Sequence, residues 1–393
     1  MSDLRPAHCP ARILVVDDIE ANRELLVRRL RREGHATEVA TNGREALEHL
    51  GAGGFDLMLL DLMMPEMNGY EVLQYMRASS DLCHVPVILI SALDDTDSVI
   101  KGITLGADDH LPKPFNPHIL RARVGASLAR KRLRDHEQLY TQSLQREMDI
   151  ARTIQAGFLP HALPQAAGWD LAAWFQPARH VGGDFYDAYT LREGRCIVLV
   201  VADVCGKGVG AALFMALFRS LLRAQAETML GNDGDLAAQA CQLVASVNDY
   251  IAQTHERDNM FATIFLAILD PLSGELVYVN GGHEAPVVHG ANGVHTRLPP
   301  TGPAVGLMPG AMFSAASTVV CPGETVVAFT DGVTDAADAD GGKYSEQRLL
   351  SRLAFVDGRA EDTVVAVRED LKAVMGRGAQ FDDITLLVLH RAS

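Results

Sequence analysis

Aspartates recur in this chain wherever a short apolar run stops. Residues 13–16 are followed by Asp17 and Asp18, residues 57–60 by Asp61, residues 87–90 by Ser91, and His110 and Leu111 lead to Lys113. In a doubly wound sheet, ligands bind beyond the carboxyl ends of the strands. Three carboxylates, a hydroxyl and an ammonium are therefore expected to meet at one edge. Gathered carboxylates repel each other unless a cation sits among them. Oxygen-only ligands suit Mg²⁺, which takes few protein ligands and keeps several waters, and the lysine would balance a further anion. Any one of these residues is ordinary capping of a strand end, but all five together are not.

A second group of aspartates lies beside glycine, in Val181-Gly182-Gly183-Asp184, Ala202-Asp203-Val204-Cys205-Gly206-Lys207-Gly208, Thr330-Asp331-Gly332 and Phe381-Asp382-Asp383. A lone Asp-Gly is most often a plain turn. Four such places, three of them after strand-like runs, would supply a cluster of hard oxygen ligands without His or Cys, which selects Mg²⁺ or Mn²⁺. Two such ions about 3.5–4 Å apart lower the pKa of a shared water and clamp a phosphate for in-line attack. Hydrolysis of a phosphate ester follows from that chemistry.

Elements must hold these residues in place. Up to about residue 120, apolar runs alternate with helix-period segments at 24–30 and 72–76, which predicts a parallel sheet covered by helices. After Pro117 no proline occurs until Pro160, and Leu120, Val124, Leu128, Leu144, Met148, Ala151, Ile154 and Phe158 recur at helical spacing. That predicts a long helix joining two domains and stopped by Pro160 and Pro164. Its charged middle, residues 130–137, does not keep strict heptads, so pairing as a coiled coil is a weaker expectation. Beyond Gly168, strand-like runs punctuated by glycine alternate with helical stretches near 211–226, 236–253 and 361–374. The expected organisation is multidomain: an α/β doubly wound, flavodoxin-like domain over 1–128, a helical linker over 129–165 and an α+β domain over 166–393.

At 393 residues the length fits two or three domains of about 100–200 residues. A net charge of −15 repels a phosphate backbone, so a nucleic-acid partner is not expected. The six cysteines, Cys9, Cys83, Cys196, Cys205, Cys241 and Cys321, form no C-x-x-C pair and read as reduced thiols of a cytoplasmic protein. Apolar runs such as 196–202 and 85–92 are far shorter than the roughly 18 residues that span a bilayer, so no membrane partner is expected. Residues 1–10 lack the apolar stretch of a signal peptide and read as a short mobile tail.

The contexts Val15-Val16-Asp17-Asp18, Leu59-Leu60-Asp61-Leu62-Met63-Met64-Pro65, Ile90-Ser91-Ala92 and Leu111-Pro112-Lys113-Pro114-Phe115 make residues 11–128 resemble the receiver domain of two-component response regulators. The resemblance implies that Asp61 accepts a phosphoryl group from a sensor histidine kinase or a phosphotransfer protein. It implies that Asp17 and Asp18, with Asp61, hold Mg²⁺, that Ser91 hydrogen-bonds the phosphoryl group, that Lys113 pairs with it, and that Lys113–Pro114 is cis. The switch position three before the lysine, often Tyr or Phe in the family, is His110 here, which puts the form of the switch in doubt. An acyl phosphate adds up to about two negative charges and biases a two-state surface.

The aspartate–glycine segments, with Ala151-Arg152-Thr153-Ile154-Gln155-Ala156-Gly157-Phe158-Leu159-Pro160 ahead of them and Tyr278-Val279-Asn280-Gly281-Gly282-His283-Glu284-Ala285-Pro286 between, resemble the PPM family of metal-dependent Ser/Thr phosphatases. The branch is the bacterial one that regulates sporulation and sigma factors. The resemblance implies two antiparallel sheets packed face to face with helices outside, and two Mn²⁺ or Mg²⁺ at one end. By motif position Asp203 would bridge both metals with the Val204 carbonyl as a further ligand, and Asp184, Asp331 and Asp382 would complete the site. Asp383 would support it from behind, and Lys207 would orient substrate or stand as a solvated charge. Eukaryotic members carry a histidine two after the bridging aspartate, where this chain has Cys205. His283 has no evident acid–base partner and reads as part of a tight turn.

These resemblances imply a response regulator whose state at Asp61 controls a phosphatase, acting on a phosphoserine or phosphothreonine protein such as an anti-sigma-factor antagonist, with a homodimer formed through the linker helix. One alternative is a catalytically weak adaptor that binds a sigma-factor regulator. Another is a diguanylate cyclase, suggested by Gly182-Gly183-Asp184-Phe185, but that motif lacks the second acidic residue before the Phe and leaves Asp331 and Asp382 without a role.

Overall fold

The computed structural model describes residues 10–92, 96–255, 259–290, 293–338, 341–356, 358–376 and 380–393. Cys9 and nearly all of the expected N-terminal tail lie outside them. The chain divides into two compact units, Met1–Leu144 and Gln145–Ser393.

The first unit is a parallel sheet in the order β2-β1-β3-β4-β5, built from β1 (Arg12–Val16), β2 (Ala36–Ala40), β3 (Leu57–Asp61), β4 (Val87–Ala92) and β5 (Asp109–Lys113). Alternate residues of the buried central strands β1, β3 and β4 feed two cores. Leu14, Val16, Met58, Leu60 and Leu89 face one side, and Ile13, Val15, Leu59, Ile88 and Ile90 the other. The first side is closed by α2 (Gly43–Gly51) and α3 (Gly69–Ala78), and the second by α1 (Glu20–Arg32) and the start of α5 (Pro117–Phe158). The helix α4 (Thr96–Thr104) precedes β5. Asn68 caps α3 by accepting the Tyr70 and Glu71 amides, while the Glu71 carboxylate accepts the Asn68 amide, a reciprocal arrangement that satisfies otherwise orphaned donors. Strand β2 is an edge strand with only Ala40 buried, so no apolar run announces it in the sequence. The expected long helix is α5, continuous from Pro117 to Phe158, so it starts within the span read as the first domain.

The second unit holds two five-stranded antiparallel sheets, ordered β13-β10-β9-β8-β7 and β12-β11-β14-β15-β6. Their strands are β6 (Trp169–Gln176), β7 (Phe185–Leu191), β8 (Cys196–Val204), β9 (Ala262–Leu269), β10 (Glu275–Gly281), β11 (Val287–Gly290), β12 (Gly293–Arg297), β13 (Ala316–Val319), β14 (Thr325–Phe329) and β15 (Ile384–Arg391). Leu199, Val201, Phe265 and Ala267 of one sheet meet Val326, Ala328, Leu387 and Leu389 of the other. The opposite faces are covered by α6 (Val209–Met229) and α7 (Leu236–Thr254) on one side, and by α9 (Glu346–Leu353) and α10 (Ala360–Met375) on the other. Among the described residues α6 alone is long and apolar enough to cross a bilayer. Its Met215, Phe218 and Leu222 instead pack in the core with Val244 and Val247 of α7. Asp331 was expected at a turn between strands, but it opens a one-turn helix, α8 (Asp331–Thr334), because the Thr330 carbonyl accepts the Val333 amide.

Phe265 is 1% exposed and its ring stacks at a tilt on Tyr278 with centroids 5.7 Å apart. Phe265→Ala is expected to cost the second unit about 3–5 kcal/mol. Urea unfolding followed by tryptophan fluorescence checks this cleanly, since the two tryptophans of the chain, Trp169 and Trp174, both lie in that unit.

Candidate functional site

In the first unit, Asp17 and Asp18 leave the end of β1 and Asp61 ends β3, and one ligand oxygen from each lies within 4.8 Å of the others. Asp17 and Asp61 are buried and Asp18 is exposed. The Lys113 ammonium reaches in from the end of β5, 3.0 Å from Asp17 Oδ2 and 3.0 Å from Asp61 Oδ2. Burial raises the Asp61 pKa and Lys113 only partly offsets it. Burial by itself would lower the Lys113 pKa, but the hydrogen bonds and charges of Asp61 and Asp17 outweigh it and the pKa stands raised. The Lys113–Pro114 peptide is cis. Ser91 pairs in register with Pro112, and its buried hydroxyl has no hydrogen-bond partner among the described residues. His110 lies on β5, its ring 4.0 Å from Asp109 Oδ1. The sequence reading missed two supports: Asn22 Nδ2 donates to both Asp17 oxygens at 3.1 Å, and Arg23 Nη1 donates to the Asp17 and Asp18 carbonyls. Their position in the first turn of α1, directly after the acidic pair, was the available signal.

In the second unit both sheets deliver their acids to the same end. Phe185 pairs with Ala202, which sets Asp184, just before β7, beside Asp203 near the end of β8. Asp331 follows β14 and Asp382 precedes β15, and those strands pair as Phe329 with Leu386. Asp184 is 2% exposed, and its Oδ2 accepts the Thr330 hydroxyl at 2.6 Å and the Thr385 hydroxyl at 2.8 Å. Burial pushes the Asp184 pKa well up, and the Asp203 charge adds to it. Asp203 rises to about 6 through burial and then the charge of Asp331. Asp331 is raised by burial and by Asp382. Glu284 rises through burial and the charge of Asp331, so the Asn280–His283 turn brings a further carboxylate into the same field, one the sequence reading did not single out.

Asp383 acts on the backbone. Its Oδ1 accepts the Ala178 amide at 2.7 Å and its Oδ2 accepts the Gly183 amide at 2.6 Å, which fixes the turn carrying Asp184. Lys207 is not a free surface charge: its ammonium lies 2.8 Å from Asp382 Oδ2. The Cys205 sulfur accepts the Phe261 amide at 3.3 Å. His283 is more than a turn residue. Its Nδ1 is 2.8 Å from Thr263 Oγ1, and Thr263 is the cross-strand partner of Asp203. Burial holds the His283 pKa down at about 4, so the ring is neutral at pH 7 and carries no proton to donate as an imidazolium. Gln155 was quoted only as part of a motif. It is 5% exposed and grips Gly182 at both backbone groups, Nε2 donating to the carbonyl at 2.6 Å and Oε1 accepting the amide at 3.1 Å.

The second site fits divalent cations by its chemistry. The groups it offers are carboxylates and the Val204 backbone carbonyl, all hard oxygen donors. A Cβ on Gly183 would stand 2.6 Å from the Val204 carbonyl oxygen, so only glycine lets these two strand ends close on each other. Burial first, and then the neighbouring carboxylates, raise the pKa values of Asp184, Asp203 and Asp331, and a bound cation would offset both.

A flavodoxin-like sheet with an acidic edge, followed by a two-sheet sandwich with carboxylates at one end, defines a receiver domain joined to a PPM-type phosphatase domain. The chain belongs to the Stage II sporulation protein E (SpoIIE) family, whose model matches residues 193–392, and the response regulator receiver domain matches residues 13–125. Protein IcfG of Synechocystis sp. is 40% identical over 263 residues, 62% of this chain and 41% of that protein. Response regulator MprA of Mycobacterium ulcerans is 43% identical over 126 residues, 32% of this chain and 53% of that protein. The chain thus spans about half or less of the length of these curated relatives. Among solved structures, the SiaA-PP2C domain of Pseudomonas aeruginosa superposes with a TM-score of 0.56 over 64% of this chain and 98% of that one. At 20% identity it attests the fold.

A raised carboxyl pKa means that the folded state keeps a proton the unfolded state has already lost. Stability attributable to Asp203 therefore falls as pH rises from about 4 to about 6, and changes little above that. In chelator, Asp203→Asn is expected to show a smaller drop in Tm between pH 4.5 and pH 7 than the native chain. Added Mn²⁺ at pH 7 should raise the unfolding temperature of the second unit, followed by tryptophan fluorescence, in the native chain and leave it nearly unmoved in the variant.

Proposed function

We propose that this chain is a response regulator whose phosphorylation at Asp61 controls hydrolysis of a phosphoserine or phosphothreonine on a partner protein. The observation that carries the reading is the convergence of Asp184, Asp203, Asp331 and Asp382 at one end of the sandwich, where burial and mutual repulsion raise the pKa of the first three. Asp203 would help hold both Mn²⁺ or Mg²⁺ ions, with the Val204 carbonyl as a further ligand, and Asp184, Asp331 and Asp382 would complete the set. Such ions supply the lowered water pKa and the charge neutralisation that cleavage of a phosphate monoester needs. The chain's own groups do the positioning. Thr330 and Thr385 hold the Asp184 carboxylate, and Asp383 fixes the amides of its turn. Cys205 replaces the histidine of eukaryotic members and buried His283 is neutral at pH 7, so the leaving serine oxygen would take its proton from water or from another group.

In the receiver, Asp17, Asp18 and Asp61 would hold Mg²⁺, Ser91 would turn its unpartnered hydroxyl to the phosphoryl group, and Lys113 would pair with it, donated by a sensor histidine kinase or phosphotransfer protein. His110 would serve as the switch residue. Coupling is supported by Gln155, which lies on the same helix that begins at Pro117 and grips Gly182, two residues before Asp184. A turn or shift of that helix would pull on the backbone that carries a metal ligand. The substrate fitting the family is an anti-sigma-factor antagonist, in a cytoplasmic partner-switching pathway, with the chain paired through its linker helix.

The test is phosphate release from a phosphoserine-bearing antagonist protein with Mn²⁺. Turnover is expected in the native chain, to fall by at least about 100-fold in Asp203→Ala, and to change with acyl-phosphate treatment in the native chain but not in Asp61→Asn. Absence of turnover in every state with tight partner binding retained would establish the adaptor instead. Gln155→Ala is expected to fold normally and bind Mn²⁺, yet to lose most of the response to acyl phosphate, read as the ratio of treated to untreated rates.

A further inference from the structure

Lys207 reaches from the loop after β8 to the residues that lead into β15, 174 positions along the chain. Its ammonium is 2.8 Å from Asp382 Oδ2, donates to the Phe381 carbonyl at 2.7 Å and lies 4.4 Å from the centroid of the Phe381 ring. The flanking glycines make the reach possible: Gly206 and Gly208 have φ of 94° and 80°, a left-handed conformation that side chains other than glycine rarely adopt. The other oxygen of Asp382 accepts the Asp383 amide at 3.0 Å. Both oxygens of this carboxylate are thus engaged, and the ammonium holds the one not tied to the backbone. The field of Lys207 also reaches Asp331, where it opposes the rise in pKa.

We propose that Lys207 is a tethered cation that competes with the metal for Asp382 and, once displaced, forms part of the binding site for the substrate's phosphate. This rests on the phosphatase reading above. An ammonium and a divalent ion on one carboxylate repel each other, so a metal at Asp382 would weaken the Lys207 contact and favour its displacement. The Phe381 carbonyl and ring would keep the displaced lysine near Asp382, within reach of a phosphate dianion drawn to the metals. A dianion offsets the repulsion between ammonium and metal, so phosphate and metal should strengthen each other's binding through Lys207. Linkage makes that effect reciprocal. The lysine would then disfavour metal loading in the absence of phosphate and favour it in its presence.

The experiment is Mn²⁺ titration of the full chain followed by the electron paramagnetic resonance of free Mn²⁺, with and without inorganic phosphate. The native chain is compared with Lys207→Met and Lys207→Arg, and Asp203→Ala marks the binding that belongs to this site rather than to the receiver. Without phosphate, Lys207→Met is expected to bind Mn²⁺ about fivefold more tightly, the upper end for a partly exposed pair, and to lose the tightening that phosphate produces in the native chain. Lys207→Arg should keep both native behaviours. Unchanged or weaker Mn²⁺ affinity in a folded Lys207→Met, or a phosphate effect equal to that of the native chain, overturns the proposal while leaving the metal site intact. If the native chain shows no Mn²⁺ binding beyond that of Asp203→Ala, the phosphatase reading falls and the role of Lys207 with it.

Discussion

Negative charge repels negative charge most strongly where water is excluded, and both halves of this protein gather buried carboxylates at the ends of strands. Asp17 and Asp61 are almost fully enclosed in the first unit, as are Asp184 and Asp383 in the second. Isolated, each would take up a proton or force the strand ends apart. The surrounding structure is organised around that cost. In the receiver one lysine spans two acids. In the phosphatase domain hydroxyls and backbone amides do the work: Thr330 and Thr385 on Asp184, and the amides of Ala178 and Gly183 on Asp383. Hydrogen bonds to the charged form stabilise it without adding a fixed positive charge, which leaves the inner oxygens available to a cation.

The turn at Gly182–Gly183 is where these demands meet. From one side Gln155 holds the carbonyl and amide of Gly182, and from the other Asp383 holds the amide of Gly183. The same turn sets Asp184 against the hydroxyls at the start of β15 and the end of β14. The Asp184 carboxylate is thereby fastened to a long helix through one residue and to the neighbouring sheet through another. In the proposed function a small motion of that helix would have a short route to the site, since packed elements shift between discrete arrangements rather than deform smoothly.

Much of this was legible in the residues. The runs that became β1, β3 and β4, the helices near 211–226, 236–253 and 361–374, and the acids closing each strand were all visible, because hydrophobic period and strand-end chemistry are local properties. The edge strand β2 was not, since an exposed edge needs no apolar pattern. Gln155, Asn22 and Arg23 were not distinguished either: a polar side chain in a helix looks the same whether it faces solvent or a backbone amide. Lys207 read as either a substrate contact or a solvated charge, and its partner Asp382 lies too far along the chain for spacing to suggest.

The sequence by itself determined which chemistry is possible: aspartates at strand ends, glycines where backbones must close, a lysine after the last receiver strand, and a proline-free helix between two domains. Tertiary structure alone decided how those groups are shared out. It set Cys205 against the Phe261 amide, linked neutral His283 to Thr263, the cross-strand partner of Asp203, gave Asp382 a lysine partner, and placed Gln155 on the backbone of Gly182. The physical reason is that identity and spacing fix a side chain's donors, acceptors and charge, whereas its partner is fixed by which strands and helices pack together, a property of contacts between residues far apart in the chain.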